Sequence, residues 1–395
     1  MIGFSGVTAQ RFSRISSPVR PFIVIGGGVV GMCVARELAL RGASVTLVDR
    51  RLPPRAPATA ASLGVLSAPH GGRTPLGRLS ALAHGAYPAF AAALRSETGL
   101  DPGYRVPGSL YLERRPPRPG ARAKVEAAYR AAGVTARWIE GDELRRLAPV
   151  VSDEIHTALH IPGEAVVEPS ALARSLRASL LVLGVEVRDE EAVLVHLDGD
   201  PLVELAGGDR VTGSIVIVAA GAWTPEVVGA GVAQVVPVRP IRGQAVEVRS
   251  AWSEGPSLRF PSERLGRDYH VVARGGGAAW IGSTVEDVGF EASVTESGIT
   301  ELLEAASEVL SRPPARSDVV RAWTGLRPKA MRPGGPFLGR IPGAENAWVA
   351  AGHYRSGMLL GPLSARLLVH AIHGDEDALR REGFDPESLR AFEPG

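Results

Sequence analysis

The apolar positions of this chain fall into a few short continuous blocks that break into glycine, separated by stretches with helical or alternating spacing. Residues 22–25 read Phe-Ile-Val-Ile and run into Gly26-Gly27-Gly28, residues 45–48 read Val-Thr-Leu-Val, and 214–220 and 347–351 are further runs of the same kind. Uninterrupted apolar runs of this length fit parallel strands covered on both faces. After the first run the spacing turns helical from Val29 to about Leu40, with Gly42 as its stop signal. After the last run comes a helical stretch to about Ile372, with Pro362 expected in its first turn. Residues 81–98 and 121–132 have Ala/Arg-rich helical patterns, whereas 235–249 and 269–283 alternate apolar and polar positions, as half-exposed antiparallel strands do. The pattern predicts an α/β fold with a smaller α+β domain, built on an antiparallel sheet, interleaved with a parallel-sheet domain. The first domain is expected over residues 21–80, 155–234 and 322–395, and the second over 81–154 and 235–321. Residues 1–20 are expected to form a disordered extension.

The first strand and helix enclose Gly26-x-Gly28-x-x-Gly31. In that frame Gly26 makes the tight turn, Gly28 lets backbone approach a pyrophosphate, and Gly31 lets the helix sit close on the strand, a Rossmann-like arrangement. The helix start at Val29 and Val30 offers unpaired N–H groups to phosphate. The second strand then delivers Asp49, about 20 residues on, where a carboxylate grips ribose hydroxyls. Asp49 opposes a 2′-phosphate, even with Arg50 and Arg51 following. The 214–220 run ends in Ala219-Ala220-Gly221-Ala222-Trp223, whose small residues permit close approach to a bound group.

Composition narrows the classes. The chain has 395 residues, 45% hydrophobic and 22% charged, and a formal net charge of +2, so two globular domains are expected and neither nucleic acid nor an anionic surface is favoured as a partner. No apolar run is long enough to span a bilayer. Cys33 is the single cysteine, which rules out an internal disulfide and points to a reducing cytoplasm. His370 and His373 lack partner ligands in the sequence, so no metal is expected. The Arg- and Ser-containing start lacks the apolar segment of a secretory signal.

Five blocks together resemble the D-amino acid oxidase superfamily of FAD-dependent oxidoreductases, and within it the glycine oxidase (ThiO-like) branch. They are Val24-Ile25-Gly26-Gly27-Gly28 through Gly31; Thr59-Ala60-Ala61-Ser62-Leu63-Gly64-Val65-Leu66; Val216-Ile217-Val218-Ala219-Ala220-Gly221-Ala222-Trp223; Gly325-Leu326-Arg327-Pro328; and Gly352-His353-Tyr354-Arg355-Ser356-Gly357-Met358-Leu359-Leu360. The resemblance implies non-covalent FAD. It sets Thr59, Ala60, Ala61, Ser62, Gly64, Val65 and Leu66 along the pyrophosphate and flavin, and Val193 at the adenine. Ala220, Gly221, Trp223 and His353 join the cofactor set, and Arg355, Ser356, Gly357, Met358 and Leu359 flank the flavin pyrimidine edge.

The family reaction is oxidation of an amino acid or amine at its Cα–N bond, with hydride passing to flavin N5 and oxygen giving peroxide. Arg327 matches the family residue that clamps the substrate carboxylate, a task suited to a planar guanidinium fork; the alternative is a structural salt bridge. Arg355 either attracts the same anion or braces its loop. The strand Tyr269-His270-Val271-Val272-Ala273-Arg274 departs from the family's Tyr-x-Val-Pro-Arg. This puts His270 at the tyrosine position, unless a one-residue slip restores Tyr269, and places near the flavin an imidazole able to titrate around neutral pH. The departure points to a substrate other than glycine, bulkier or more acidic. An electron-transferring dehydrogenase and an inactive flavin-binding subunit remain open, as does a homo-oligomer.

Overall fold

The computed structural model describes residues 20–50, 57–67, 74–197 and 199–395. The extension expected over residues 1–20 lies, apart from Arg20, outside the described residues, as does Arg51.

The strand Phe22–Ile25 occupies the interior of a six-stranded sheet ordered Phe337–Arg340, Ala347–Ala351, Ile215–Val218, Phe22–Ile25, Val45–Val48, Glu186–Arg188. All neighbours run parallel except the outermost pair, Phe337–Arg340 with Ala347–Ala351. The continuous apolar runs arise because both faces of this sheet are covered. Val24, Leu47 and Ile217 point to one side, into a core formed with the helices Val29–Leu40, Pro75–Thr98, Pro169–Val182 and Gly357–Ile372. Ile23, Ile25, Val216 and Val218 point to the other, against a three-stranded sheet carrying Val195, Val203 and Val211.

A second, eight-stranded sheet is ordered Val319–Ala330, Val238–Arg249, Ala278–Gly282, Arg267–Gly275, Ser257–Ser262, Ser109–Glu113, Thr157–Ile161, Arg137–Glu140. One face buries Leu110, Val246, Leu258, Phe260, Tyr269, Val271 and Ile281 against the helix Glu296–Ser307, which contributes Ile299 and Leu302. Because side chains alternate along a strand, Arg259, His270 and Ala245, which share register positions across the sheet, point the other way. That opposite face turns toward the first domain. The strand Val319–Ala330 docks there: Gly325 lies so close to the 57–61 segment that a Cβ on it would come within 2.3 Å of the Ala61 Cβ, and the Trp323 Nε1–H donates to the Ala61 carbonyl at 3.1 Å.

Several stretches lie on the other side of the expected divisions. The helix expected over 81–98 starts at Pro75 and buries Leu79, Ala83, Tyr87 and Leu94 in the core of the first domain. Thr157–Ile161 and the whole of Val319–Ala330 are strands of the eight-stranded sheet. Pro362 is the sixth residue of its helix rather than a first-turn residue. It lacks the N–H that would reach the Met358 carbonyl, and the helix tolerates the loss because it is buried along nearly its whole length.

The first helix can approach the sheet only because Gly31 lacks a side chain, since a Cβ there would stand 1.8 Å from the Gly26 carbonyl oxygen. Gly31→Ala is therefore expected to lower stability by about 1–3 kcal/mol through overpacking and to reduce bound flavin, read as the 450/280 nm absorbance ratio. Gly85→Ala, on an exposed helical position with nothing within 4 Å, should leave flavin content unchanged and gain up to about 1 kcal/mol. Equal flavin content in the two variants would show that the close approach at Gly31 is unimportant.

Candidate active site

At the turn after Phe22–Ile25, Gly26 adopts φ +106, with the Ala219 carbonyl 2.4 Å from where a Cβ would be. At Gly27 a Cβ would stand 2.6 Å from Asp49 Oδ2, so the acid at the end of the second strand lies directly beside the loop. At Gly28 a Cβ would meet nothing nearer than Thr59 Oγ1 at 3.4 Å, so this part of the loop faces open space. The helix beyond it carries no acid in its first turn, which leaves its N-terminal dipole available to an anion. Thr59 Oγ1 accepts from the Val29 N–H at 3.0 Å. Arg50 pairs with Glu191 at 2.5 Å.

From this loop a cavity of about 970 Å³ runs between the two sheets, at the upper end of the range for small-molecule sites. Gly26, Gly28, Val29, Val30, Asp49 and Arg50 line one end. Thr59, Ala60, Ala61, Ser62, Val65, Ala220, Gly221 and Trp223 line its length. The far end gathers His270, Arg327, His353, Arg355, Ser356, Gly357, Met358 and Leu359.

Arg327 is the most constrained of these. Its Nη1 donates to the carbonyls of Thr284 at 3.0 Å and Arg242 at 3.3 Å, and its Nη2 donates to Ser283 Oγ at 2.6 Å. The guanidinium lies over Gly243, where a Cβ would come within 2.0 Å of Nη2. All these partners are neutral, and among the described residues no carboxylate pairs with it. Burial, aided by the Arg355 charge, lowers its pKa to about 10, so it remains a cation at neutral pH. The neighbouring loop is tied to the same strand. Tyr354, at φ +51, donates its N–H to the Pro328 carbonyl at 2.7 Å. That left-handed backbone costs about 1–2 kcal/mol outside glycine and holds Arg355 beside Arg327.

Not every expected residue reaches the cavity. Tyr269 points into the core of the second domain, where its hydroxyl donates to Glu301 at 2.6 Å and its ring stacks on Phe260. His270, one residue on, faces the cavity instead. The expectation that His270 titrates near neutral pH fails: burial, together with the Arg259 and Arg355 charges, pushes it down to about 3, and it stays neutral. Val193 is exposed on its strand, with Glu191 and Ala192 lining the cavity in its place. Gly31, Gly64 and Leu66 support the site from behind. A Cβ at Gly64 would meet the Val167 carbonyl at 1.9 Å, and Leu66 is core. The structure adds Arg259, Ser283 and Tyr354 to the lining. Tyr354 lies inside a block already singled out, whereas Arg259 and Ser283 reach the site through strand pairing that no local pattern announces.

The chain matches the family described as FAD dependent oxidoreductase over residues 22–371. The chain belongs to this family. It is 33% identical over 384 residues to a glycine oxidase of Pseudomonas aeruginosa, covering 92% of this chain and 98% of the relative. The glycine oxidase structure of Geobacillus kaustophilus superposes with a TM-score of 0.82 at 26% identity, over 95% of this chain and 98% of that one. An iminodiacetate oxidase structure from Chelativorans sp. BNC1 gives 0.75 at 26% identity, over 94% and 98%.

The cofactor of this FAD-dependent oxidoreductase is FAD, and the residues present fit it. The open face at Gly28 and the acid-free helix start would take the pyrophosphate, Asp49 the ribose, and the 59–62 and 355–359 segments the flavin. Cys33 is 2% exposed inside the first helix, its thiol pushed far up by burial, and does not line the cavity, so it does not tether the flavin.

His353, 4% exposed and 3.1 Å from Ser364 Oγ, is pushed down to about 4 by burial. Between that value and its unfolded value near 6.5 the unfolded state binds more protons. Its stability contribution is therefore complete above pH 6.5 and drains as the pH falls toward 4. The cost between pH 7 and pH 5 should be on the order of 1–2 kcal/mol. Denaturant melts of the flavin-loaded protein at the two pH values should show a smaller drop for His353→Gln than for the parent; an equal drop would contradict the assignment.

Proposed function

We propose that this chain oxidises a carboxylate-bearing amine or amino acid at its Cα–N bond and passes the electrons to oxygen as peroxide. The observation that carries the reading is Arg327, a cation aimed into the cavity and held by neutral acceptors alone among the described residues. A guanidinium whose position is fixed but whose charge is not neutralised is built to receive an anion from the ligand, and its fork takes both carboxylate oxygens. When bound, FAD supplies the hydride acceptor at N5.

The chain's own residues then have limited tasks. Arg327 fixes the carboxylate and thereby the orientation of the Cα–H. His270, neutral and facing the cavity, presents a ring nitrogen that accepts a hydrogen bond from the substrate amine. Trp223, whose ring lies 5.8 Å from Phe290, and the buried Met358 and Leu359 keep water from the reacting end. The names of the relatives support the same class, since two are glycine oxidases and one is an iminodiacetate oxidase. No helix of the described residues is long and apolar enough to cross a membrane, and a cytoplasmic setting completes the reading.

Removing the clamp tests it. Arg327→Met should retain FAD but lose roughly 10²–10⁴ in kcat/KM for a carboxylate-bearing amine, measured as peroxide release. Activity within a few-fold of the parent would show that Arg327 does not bind the substrate.

A further inference from the structure

The far end of the cavity carries more positive charge than one carboxylate can satisfy. Three guanidinium groups line it: Arg259, Arg327 and Arg355. The acids lining the same cavity, Asp49 and Glu191, stand at the nucleotide end, beside Gly27 and on Arg50. Asp268 pairs with Arg259, and Glu286, the other carboxylate near Arg327, is paired with Arg242 at 2.5 Å. Asp268 answers Arg259, with the buried Glu164 just beyond the Tyr111 hydroxyl, whereas Arg327 and Arg355 have no carboxylate partner among the described residues, so a substrate with a single carboxylate on Arg327 leaves Arg355 unanswered.

We propose that Arg355 and Arg259 form a second anion subsite around His270, and that the substrate is an amine bearing two carboxylates, one on Arg327 and the other here. The inference rests on the oxidase reading above and specifies its substrate class.

The two arginines suit the task in different ways. Arg259 sits opposite His270 in the antiparallel pairing. It is held in place by Asp268 through Nε at 3.0 Å and through Nη2, by the Tyr111 hydroxyl at 3.0 Å on Nη1, and by the Tyr111 ring at 4.7 Å. These bonds use three of its five N–H groups, and the remaining two are free for a ligand at no further ordering cost. Arg355 is exposed at the cavity edge and makes no hydrogen bond or ion pair among the described residues. It follows Tyr354, whose left-handed backbone sets the direction of the loop. The charges of both arginines act on His270, and that of Arg355 acts on Arg327 as well, so the four groups form one cluster. A neutral His270 between them offers a hydrogen bond without adding a further cation.

The test uses the flavin-loaded protein and two probes, acetate and succinate, titrated at equal ionic strength and followed by perturbation of the flavin absorbance. The expected result is that succinate binds about tenfold tighter than acetate or better. In Arg355→Met the ratio should fall to within about twofold, and in Arg355→Lys it should be partly restored. Arg355 is exposed, so these variants are expected to fold. Succinate binding no tighter than acetate, with both lost in Arg327→Met, would overturn the second subsite while leaving the oxidase reading intact. Equal weakening of both probes in Arg355→Met would overturn it too, by assigning Arg355 to the flavin. Acetate binding indifferent to Arg327→Met would overturn the oxidase reading and this proposal with it.

Discussion

The site depends on a guanidinium that is fully oriented and not neutralised. Arg327 is held by two backbone carbonyls and one hydroxyl, which satisfy its geometry and leave its charge to be met by a ligand. Burying a cation this way is costly, and the cost is visible in a pKa drawn down to about 10. Much of the surrounding architecture serves that position. Gly243 leaves room for the planar group, Gly325 lets its strand dock on the 57–61 segment, and the Tyr354 N–H ties the Arg355 loop to the carbonyl of Pro328. A carboxylate beside Arg327 would make a stronger local bond and close the site to an anion. The fold instead places Glu286 on Arg242.

The two sheets divide the work. The parallel sheet, buried on both faces, presents a glycine loop and a helix start to the phosphates. The second sheet, antiparallel except where Ser257–Ser262 runs parallel to Ser109–Glu113, buries one face and turns the other to the cavity. The cavity lies where the two meet, so its lining residues come from strands far apart in sequence.

This division explains what was legible in the sequence. The helix Val29–Leu40 and the strands Val45–Val48 and Ala347–Ala351 have the expected limits, because short continuous apolar runs and a helical period closed by Gly42 are strong local signals. The expectation that Arg327 clamps a carboxylate comes from resemblance alone, and its lack of a carboxylate partner among the described residues from the structure alone. Tyr269 and His270 differ by one residue, which on a strand is the difference between core and cavity. Alternation alone does not say which parity faces inward; the pairing of Tyr269 with Phe260 and of His270 with Arg259 does. The lowered pKa of His270 comes first from burial and then from the charges of Arg259, on the paired strand, and Arg355, neither of which the local sequence shows. Helix Pro75–Thr98 reads as helix in either domain, and only its contacts with the helices of the first domain decide its place.

The most direct test of the central claim is a crystal structure of the FAD-loaded protein with acetate bound. The account predicts both carboxylate oxygens on the Arg327 guanidinium, at 2.7–2.9 Å as in charge-assisted pairs generally, with the methyl group turned toward the flavin. An anion bound elsewhere, with Arg327 still making only its bonds to Thr284, Arg242 and Ser283, would contradict it.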